Sequence, residues 1–147
     1  MSNKISDLDP KIRNKAEAAF IRMKTDKKLK DMGVKSVIIS ESRRELAVQM
    51  AYYSRGRCPR DVVRAFYKRC GLYTPTDKEC DTPNTQTLNS KHIDGLAVDF
   101  VPVDPEGDCW WDAPDAVWDR MGAIGEECGL SWGGRWTGFV DKPHFEV

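Results

Sequence analysis

Only two histidines occur in the 147-residue chain, and each has an aspartate at a spacing that suits a shared site. His92 precedes Asp99 by seven positions in S-K-H-I-D-G-L-A-V-D-F, with Gly95 between them as a candidate positive-φ turn residue. His144 follows Asp141 by three in D-K-P-H-F-E, where Pro143 excludes a helix interior and sets a turn entering a strand. His92, His144 and Asp99 make a nitrogen–oxygen donor set suited to Zn2+ with one coordination position left open. Asp141 is placed to act beside that position as a general base. Spacing alone leaves a second reading open, in which each histidine is a hydrogen-bonded polar residue next to a strand. Glu146 shares a strand face with His144 by the period of two, either as a partner that orients an imidazole or as surface.

The elements that must position these residues follow from patterning. Asp9-Pro10 opens a helix whose apolar stripe is Ile12, Ala16, Ala19, Phe20 and Met23. A polar linker ending at Gly33 leads to a β-branched strand over 34–40, and Ser42 is a candidate cap for a second helix stopping near Gly56. A short helix closed by Gly71 follows Cys58-Pro59, and the Thr-, Pro- and Asn-rich stretch from Thr74 to Asn89 reads as loop. L-A-V-D-F-V-P-V (96–103) is a strand. Pro114 to Cys128 is a helix with Ala116, Val117, Met121 and Ile124 on its apolar side, and P-H-F-E-V is a final strand. The expected class is α+β: one small domain over 1–147, an antiparallel sheet with flanking helices and the zinc site on the sheet.

Composition narrows the function. Lys+Arg and Asp+Glu are 23 each, which argues against a nucleic-acid binder, whose affinity needs surplus cations. The balance hides a gradient: residues 1–70 carry 18 basic and 8 acidic side chains, residues 71–147 carry 5 and 15. That gradient fits two faces attracting each other across the fold, or a basic surface that dwells on an anionic polymer. No window reaches the ~18 apolar residues of a membrane span. Met1 to Pro10 lacks the apolar stretch of a secretory leader, so synthesis in a cytoplasm without a signal peptide is expected. Five cysteines without a C-x-x-C pair favour reduced thiols, although Cys58, Cys70 and Cys80 bracket one segment and allow a single disulfide.

Both histidine segments resemble a known family. S-K-H-I-D-G-L-A-V-D-F is similar to the S-x-H-x-x-G-x-A-x-D signature of zinc peptidases that cut D-amino-acid peptides of bacterial walls. This family holds the VanY-like D-alanyl-D-alanine carboxypeptidases and the L-alanyl-D-glutamate endopeptidases of phage endolysins. W-G-G-R-W-T-G-F-V-D-K-P-H-F-E (132–146) resembles its second signature. I-S-D-L-D-P-K-I-R (5–13) and S-R-R-E-L-A-V-Q-M-A-Y-Y-S-R-G-R (42–57) resemble its opening and its arginine–glutamine segment. The resemblance implies His92, Asp99 and His144 as zinc ligands and Asp141 as catalytic carboxylate. It places the active-site arginine on Arg44, by its distance to Gln49 and Gly56-Arg57, with Arg43 adjacent. Ser90 is implied as a substrate or supporting hydrogen-bonding residue. Ser42-Arg43-Arg44-Glu45 departs from the family's usual Tyr-Arg-Ser.

Trp132, Trp136 and Phe139 are candidate walls for a thin peptide, with core packing expected for at least two of them. The function implied is a zinc-dependent peptidoglycan peptidase of the phage endolysin type, cleaving the L-alanyl-D-glutamate bond of the stem peptide. It would act on the wall after release from the host cytoplasm, as a monomer with no nucleic-acid or membrane partner. A D-alanyl-D-alanine carboxypeptidase is the alternative among enzymes. A non-catalytic zinc module, closed by a cysteine as fourth ligand, is the alternative of another class.

Overall fold

The computed structural model describes residues 2–147. Asp9 caps α1 (Pro10–Thr25) by accepting from the Lys11 amide at 2.8 Å, and Pro10 occupies the first helical position, where its missing N–H costs nothing. The expected linker after α1 contains a further turn of helix, α2 (Lys27–Asp31), because the Asp26 carboxylate accepts from Leu29 N at 3.0 Å. β1 (Ser36–Glu41) follows.

Ser42 does not cap the next helix. Its amide bonds to Ser2 O, and the Arg44 amide bonds to His92 O, so the 42–45 segment bridges other parts of the chain. The helix, α3 (Leu46–Ser54), starts only after it. α4 (Arg60–Arg69) and α5 (Asp77–Asp81) come next, and α5 lies within the stretch expected as loop. Its start is fixed by a reciprocal cap, Thr76 with Glu79. β2 (Ala97–Val103), α6 (Asp115–Glu127), β3 (Ser131–Trp132) and β4 (His144–Glu146) complete the chain.

The four strands form one antiparallel sheet in the order β1-β2-β4-β3. One face is covered by α1 and α6, where Ile12, Ala16, Met23, Val117, Met121 and Ile124 meet Val98, Phe100 and Phe145. Each large side chain buried there stabilises the fold by about 1.5–3 kcal/mol. The α6 stripe differs from expectation at two residues: Ala116 is exposed and Trp118 is buried. Two bare positions on α6 let rings lie directly on the helix. A Cβ at Gly122 or Gly125 would sit 2.3 Å from Trp132 or Phe145. A second, smaller cluster joins α3, α4 and α5 through Ala51, Val63, Tyr67 and Cys80. All five cysteines are free, with Cys58 and Cys70 packed on that cluster, so no disulfide closes the segment.

The other face of the sheet carries the polar residues. Asp99 pairs directly with His144 across β2 and β4, and with Glu41 across β2 and β1. A register shift between Ile39 and Glu41 brings Glu41 into this row.

Candidate active site

The cross-strand pairing supplies two members of the cluster and a turn supplies the third. Gly95, at φ +71°, closes the 91–95 turn that returns the chain to β2. Its carbonyl accepts from the Asp9 amide at 2.9 Å, and a Cβ there would lie 3.0 Å from that nitrogen. The turn sets His92 over the sheet. His92 Nε2 is then 3.2 Å from Asp99 Oδ1 and 3.2 Å from His144 Nδ1, while His144 Nδ1 is 3.4 Å from Asp99 Oδ1.

The outer nitrogens of the two rings are committed elsewhere. His92 Nδ1 lies 3.1 Å from the Ser42 carbonyl and His144 Nε2 lies 2.8 Å from Glu146 Oε2, so each donates its proton outward. In the neutral rings the inner nitrogens are therefore bare lone pairs. Asp99 Oδ1, buried and without a hydrogen bond of good geometry, faces both of them. Three converging lone pairs repel unless a cation sits among them. Zinc bonds of about 2.0–2.1 Å at tetrahedral angles place ligand atoms roughly 3.3–3.4 Å apart, which matches this triangle. His92, Asp99 and His144 fit zinc.

The electrostatics follow the same pattern. Burial pushes the Asp99 carboxyl upward, but the His144 and His92 rings beside it outweigh this and hold it well below the usual carboxylate range. Burial opposes the charged form of His144, yet Asp99 and Glu146 raise its pKa. Asp141 lies with Oδ2 3.9 Å from His144 Nδ1, and its pKa is raised by burial and then by the Asp99 charge. A carboxylate with raised proton affinity beside an open metal position suits a general base.

Asp141 is placed by the glycine pair before it. The Asp141 amide bonds to Gly133 O at 3.1 Å, and a Cβ on Gly133 would meet Asp141 O at 2.4 Å. The W-G-G sequence thus lets the 133–134 backbone and the 141–144 turn touch.

A cleft of about 750 Å³ opens from this cluster. Arg44 lines it, while Arg43 is exposed and outside it. Arg44 Nε and Nη2 form a fork on Glu41 at 2.5 Å each, and Nη1 donates to Gln49 Oε1 at 2.6 Å. Burial works against the guanidinium charge, and Glu41 more than restores it, leaving its pKa raised. Gln49, fully buried, donates in turn to Thr87 O at 2.6 Å and so ties Arg44 to the 84–90 wall. Ser90 lines the cleft, and its hydroxyl accepts from the His92 amide at 3.3 Å.

Trp136 also lines the cleft, with its ring 4.9 Å from that of His144, and Phe139 stands exposed at the rim. Trp132 does not line it. It is buried in the core, stacks on Phe145 and donates from Nε1 to Lys142 O at 2.7 Å, which corrects its assignment as a substrate wall. The Glu41 fork was not anticipated, since nothing in the sequence separates a paired Glu41 from a surface one. For Glu146 the period of two was the usable signal.

Fold and site together place a His-Asp-His cluster able to hold a metal ion on an antiparallel sheet. Residues 83–147, which hold all three ligand candidates and Asp141, match the family model described as D-alanyl-D-alanine carboxypeptidase, so the resemblance carried by the two motifs is borne out. The chain is similar to the peptidoglycan L-alanyl-D-glutamate endopeptidase CwlK of Bacillus subtilis, 28% identical over 149 residues, covering 97% of this chain and 74% of that one. It is also similar to the L-alanyl-D-glutamate peptidase of a Listeria phage, 36% identical over 62 residues. That match covers 42% of this chain and only 22% of the phage protein's length. The Serratia marcescens L-Ala D-Glu endopeptidase ChiX shares the fold, with a TM-score of 0.59 and 23% identity over 97% of this chain and 82% of that one.

Proposed function

We propose that the chain is a zinc-dependent peptidoglycan peptidase that hydrolyses the L-alanyl-D-glutamate bond of the stem peptide, in the manner of a phage endolysin. The observation that carries this reading is the His92–Asp99–His144 triangle with Asp141 at its mouth. Both relatives are L-alanyl-D-glutamate peptidases by name, and the phage relative supports synthesis in a host cytoplasm and action on the wall after release. Among the described residues no helix is long and apolar enough to cross a membrane.

Zinc held by the three ligands would supply Lewis acidity, polarising the scissile carbonyl and making a water easier to deprotonate. Asp141 takes the proton of the attacking water and hands it to the departing amine. Arg44, fixed by Glu41 and Gln49, presents its remaining N–H groups where negative charge develops on the carbonyl oxygen. Trp136 limits water access on the His144 side.

The carboxypeptidase alternative needs a free cation beside the metal for the substrate's terminal carboxylate. Arg44 already forks on Glu41, and Lys91 bonds Glu146 Oε1 at 3.0 Å and Val147 O at 2.7 Å. The charges of Arg44 and Lys91 beside the cluster are thus already neutralised by acids, which favours the endopeptidase. For the closed zinc module, no cysteine joins the cluster among the described residues.

The test is substitution with metal analysis. Asp141→Ala retains zinc and loses about 10²–10⁴ in kcat, while His92→Ala and His144→Ala lose zinc and activity together. An Asp141→Ala protein of undiminished activity contradicts the assignment.

A further inference from the structure

Away from the metal ligands, reached from Arg44 through the rings of Tyr52 and Tyr67, the cleft holds a guanidinium with no acid on it. Tyr52 lies 4.9 Å from Arg44 Cζ and 6.0 Å from the Tyr67 ring. Arg55, the residue that ends α3, donates from Nε to the carbonyls of Glu79 at 2.6 Å and Thr82 at 3.2 Å. These two bonds fix the guanidinium plane on the end of α5. Its Nη groups form no ion pair among the described residues, in contrast to Arg44 and Lys91. Glu79, whose backbone it holds, has both carboxylate oxygens occupied, one by the Thr76 amide and the other by the Tyr73 hydroxyl.

Next to Arg55 stands a second unmet group. Tyr67 lines the cleft and is 1% exposed, and its buried hydroxyl has no hydrogen bond of good geometry, with Arg55 the group beside it. A buried hydroxyl is costly unless a neighbour satisfies it, which ties Tyr67 to the placing of Arg55. Burial pushes the phenol upward, and the Arg55 side chain, through a hydrogen bond first and its charge second, partly offsets this, so the two groups share one environment. The Tyr73 ring meets Tyr67 edge-on at 5.5 Å and walls the other side. Arg55 and Tyr67 both lie outside residues 83–147, the part that matches the family model.

We propose that Arg55 and Tyr67 form an anion subsite that takes a carboxylate of the peptide substrate remote from the scissile bond. The subsite rests on the peptidase reading for the identity of its ligand. The Nη donors of Arg55, held from behind by the Tyr67 hydroxyl, match the two oxygens of a carboxylate, and charge-assisted bonds of this kind are the strong ones. A stem peptide cut after L-alanine carries free carboxylates on its D-glutamate side, and this subsite selects peptides that keep them over peptides in which they are amidated.

The experiment uses zinc-loaded protein and two probes that cannot be cut at the proposed bond: the dipeptide D-Glu-L-Lys and its carboxamide counterpart. Calorimetric titration of wild type, Arg55→Gln and Tyr67→Phe gives the preference of each protein for the free acid. Arg55→Gln is expected to shrink the wild-type preference about tenfold and Tyr67→Phe about threefold. Tyr67→Phe keeps the ring packing, so it remains informative if Arg55→Gln loosens α5. An equal preference in all three proteins overturns the subsite. Cleavage of L-Ala-D-Glu-L-Lys by the wild type is assayed in parallel. Its absence counts against the peptidase reading alone, because the titrations still decide the subsite.

Discussion

His144 shows how much of the chemistry is set one residue away from the ligands. Its inner nitrogen is available only because Glu146 accepts a hydrogen bond from the outer N–H at 2.8 Å, and Ser42 O does the same for His92 at 3.1 Å. The two imidazoles use opposite nitrogens, so a single rule about tautomers would misassign one of them. Glu146→Gln keeps the shape but weakens the acceptor, and it is expected to lower zinc affinity about 10–100-fold. Competition with a zinc-chelating dye reads this directly, and an unchanged affinity would show that Glu146 is merely a neighbour. The aromatic residues divide at the same scale. Trp132 and Trp136 are four positions apart, yet one is core and the other faces the cleft. Composition carries no signal for that division, which depends on the bare backbone of Gly133 and Gly134 between them.

At the scale of elements, the candidate ligands meet because strands pair in one register. Asp99 opposite His144 on β2 and β4 follows from alternation, since Val98, Phe100 and Phe145 claim the core face. The two strands, the helix with Asp9 and Pro10 at its start and the histidine-bearing turn were legible because each has a local physical signature. α2 and α5 were not, because five-residue helices leave no periodic stripe and are decided by their caps, Asp26 and the Thr76–Glu79 pair. The late start of α3 was hidden because the 42–45 backbone serves distant partners, Ser2 and His92.

Two predictions belong to elements. Gly133→Ala would place a Cβ 2.4 Å from Asp141 O, displacing the turn that carries Asp141 and His144. It should cost about 1–3 kcal/mol in stability and at least tenfold in kcat, read by thermal denaturation and kinetics. Wild-type values for both would contradict the close-approach argument. The second concerns Asp26, which caps α2 and forks with Arg120 of α6 at 2.7 and 3.1 Å. The Arg120 guanidinium, ahead of the opposing effect of burial, holds the Asp26 carboxyl below its ordinary value. Its contribution is therefore complete above the unfolded carboxylate pKa of about 3.9 and is lost as pH falls through the lower folded value. Asp26→Asn keeps the cap and removes the charge, so it should cost about 1 kcal/mol at pH 7 and progressively less towards pH 2. A pH-independent difference between variant and wild type in urea unfolding would assign the effect to capping instead.

For the whole molecule, the opposed charges of the two halves resolve into contacts between them. Arg22 pairs with Glu127, Arg60 with Asp77 and Asp81, and Arg64 with Asp77, each joining the basic half to the acidic one. These pairs are solvent-exposed, so each contributes little to stability. They nonetheless support attraction across the fold as the meaning of the gradient. The larger consequence is positional: α1 and α6 clamp one face of the sheet, and the smaller α3–α4–α5 cluster hangs the Arg44 and Tyr67 walls over the other. Zinc bound at the junction should stabilise the molecule as a whole, since the ligands come from the 91–95 turn, β2 and β4. Chelation should lower the melting temperature and readdition of zinc should restore it; a melting temperature indifferent to both would deny the site a bound metal.

The central claim is tested most directly by mass spectrometry of purified peptidoglycan incubated with the zinc-loaded protein and, in parallel, with chelator-treated protein. The account predicts stem peptides that begin with D-glutamate and muramyl chains that keep L-alanine, both appearing only with the zinc-loaded sample. Release of D-alanine alone, or the same products without metal, would contradict it.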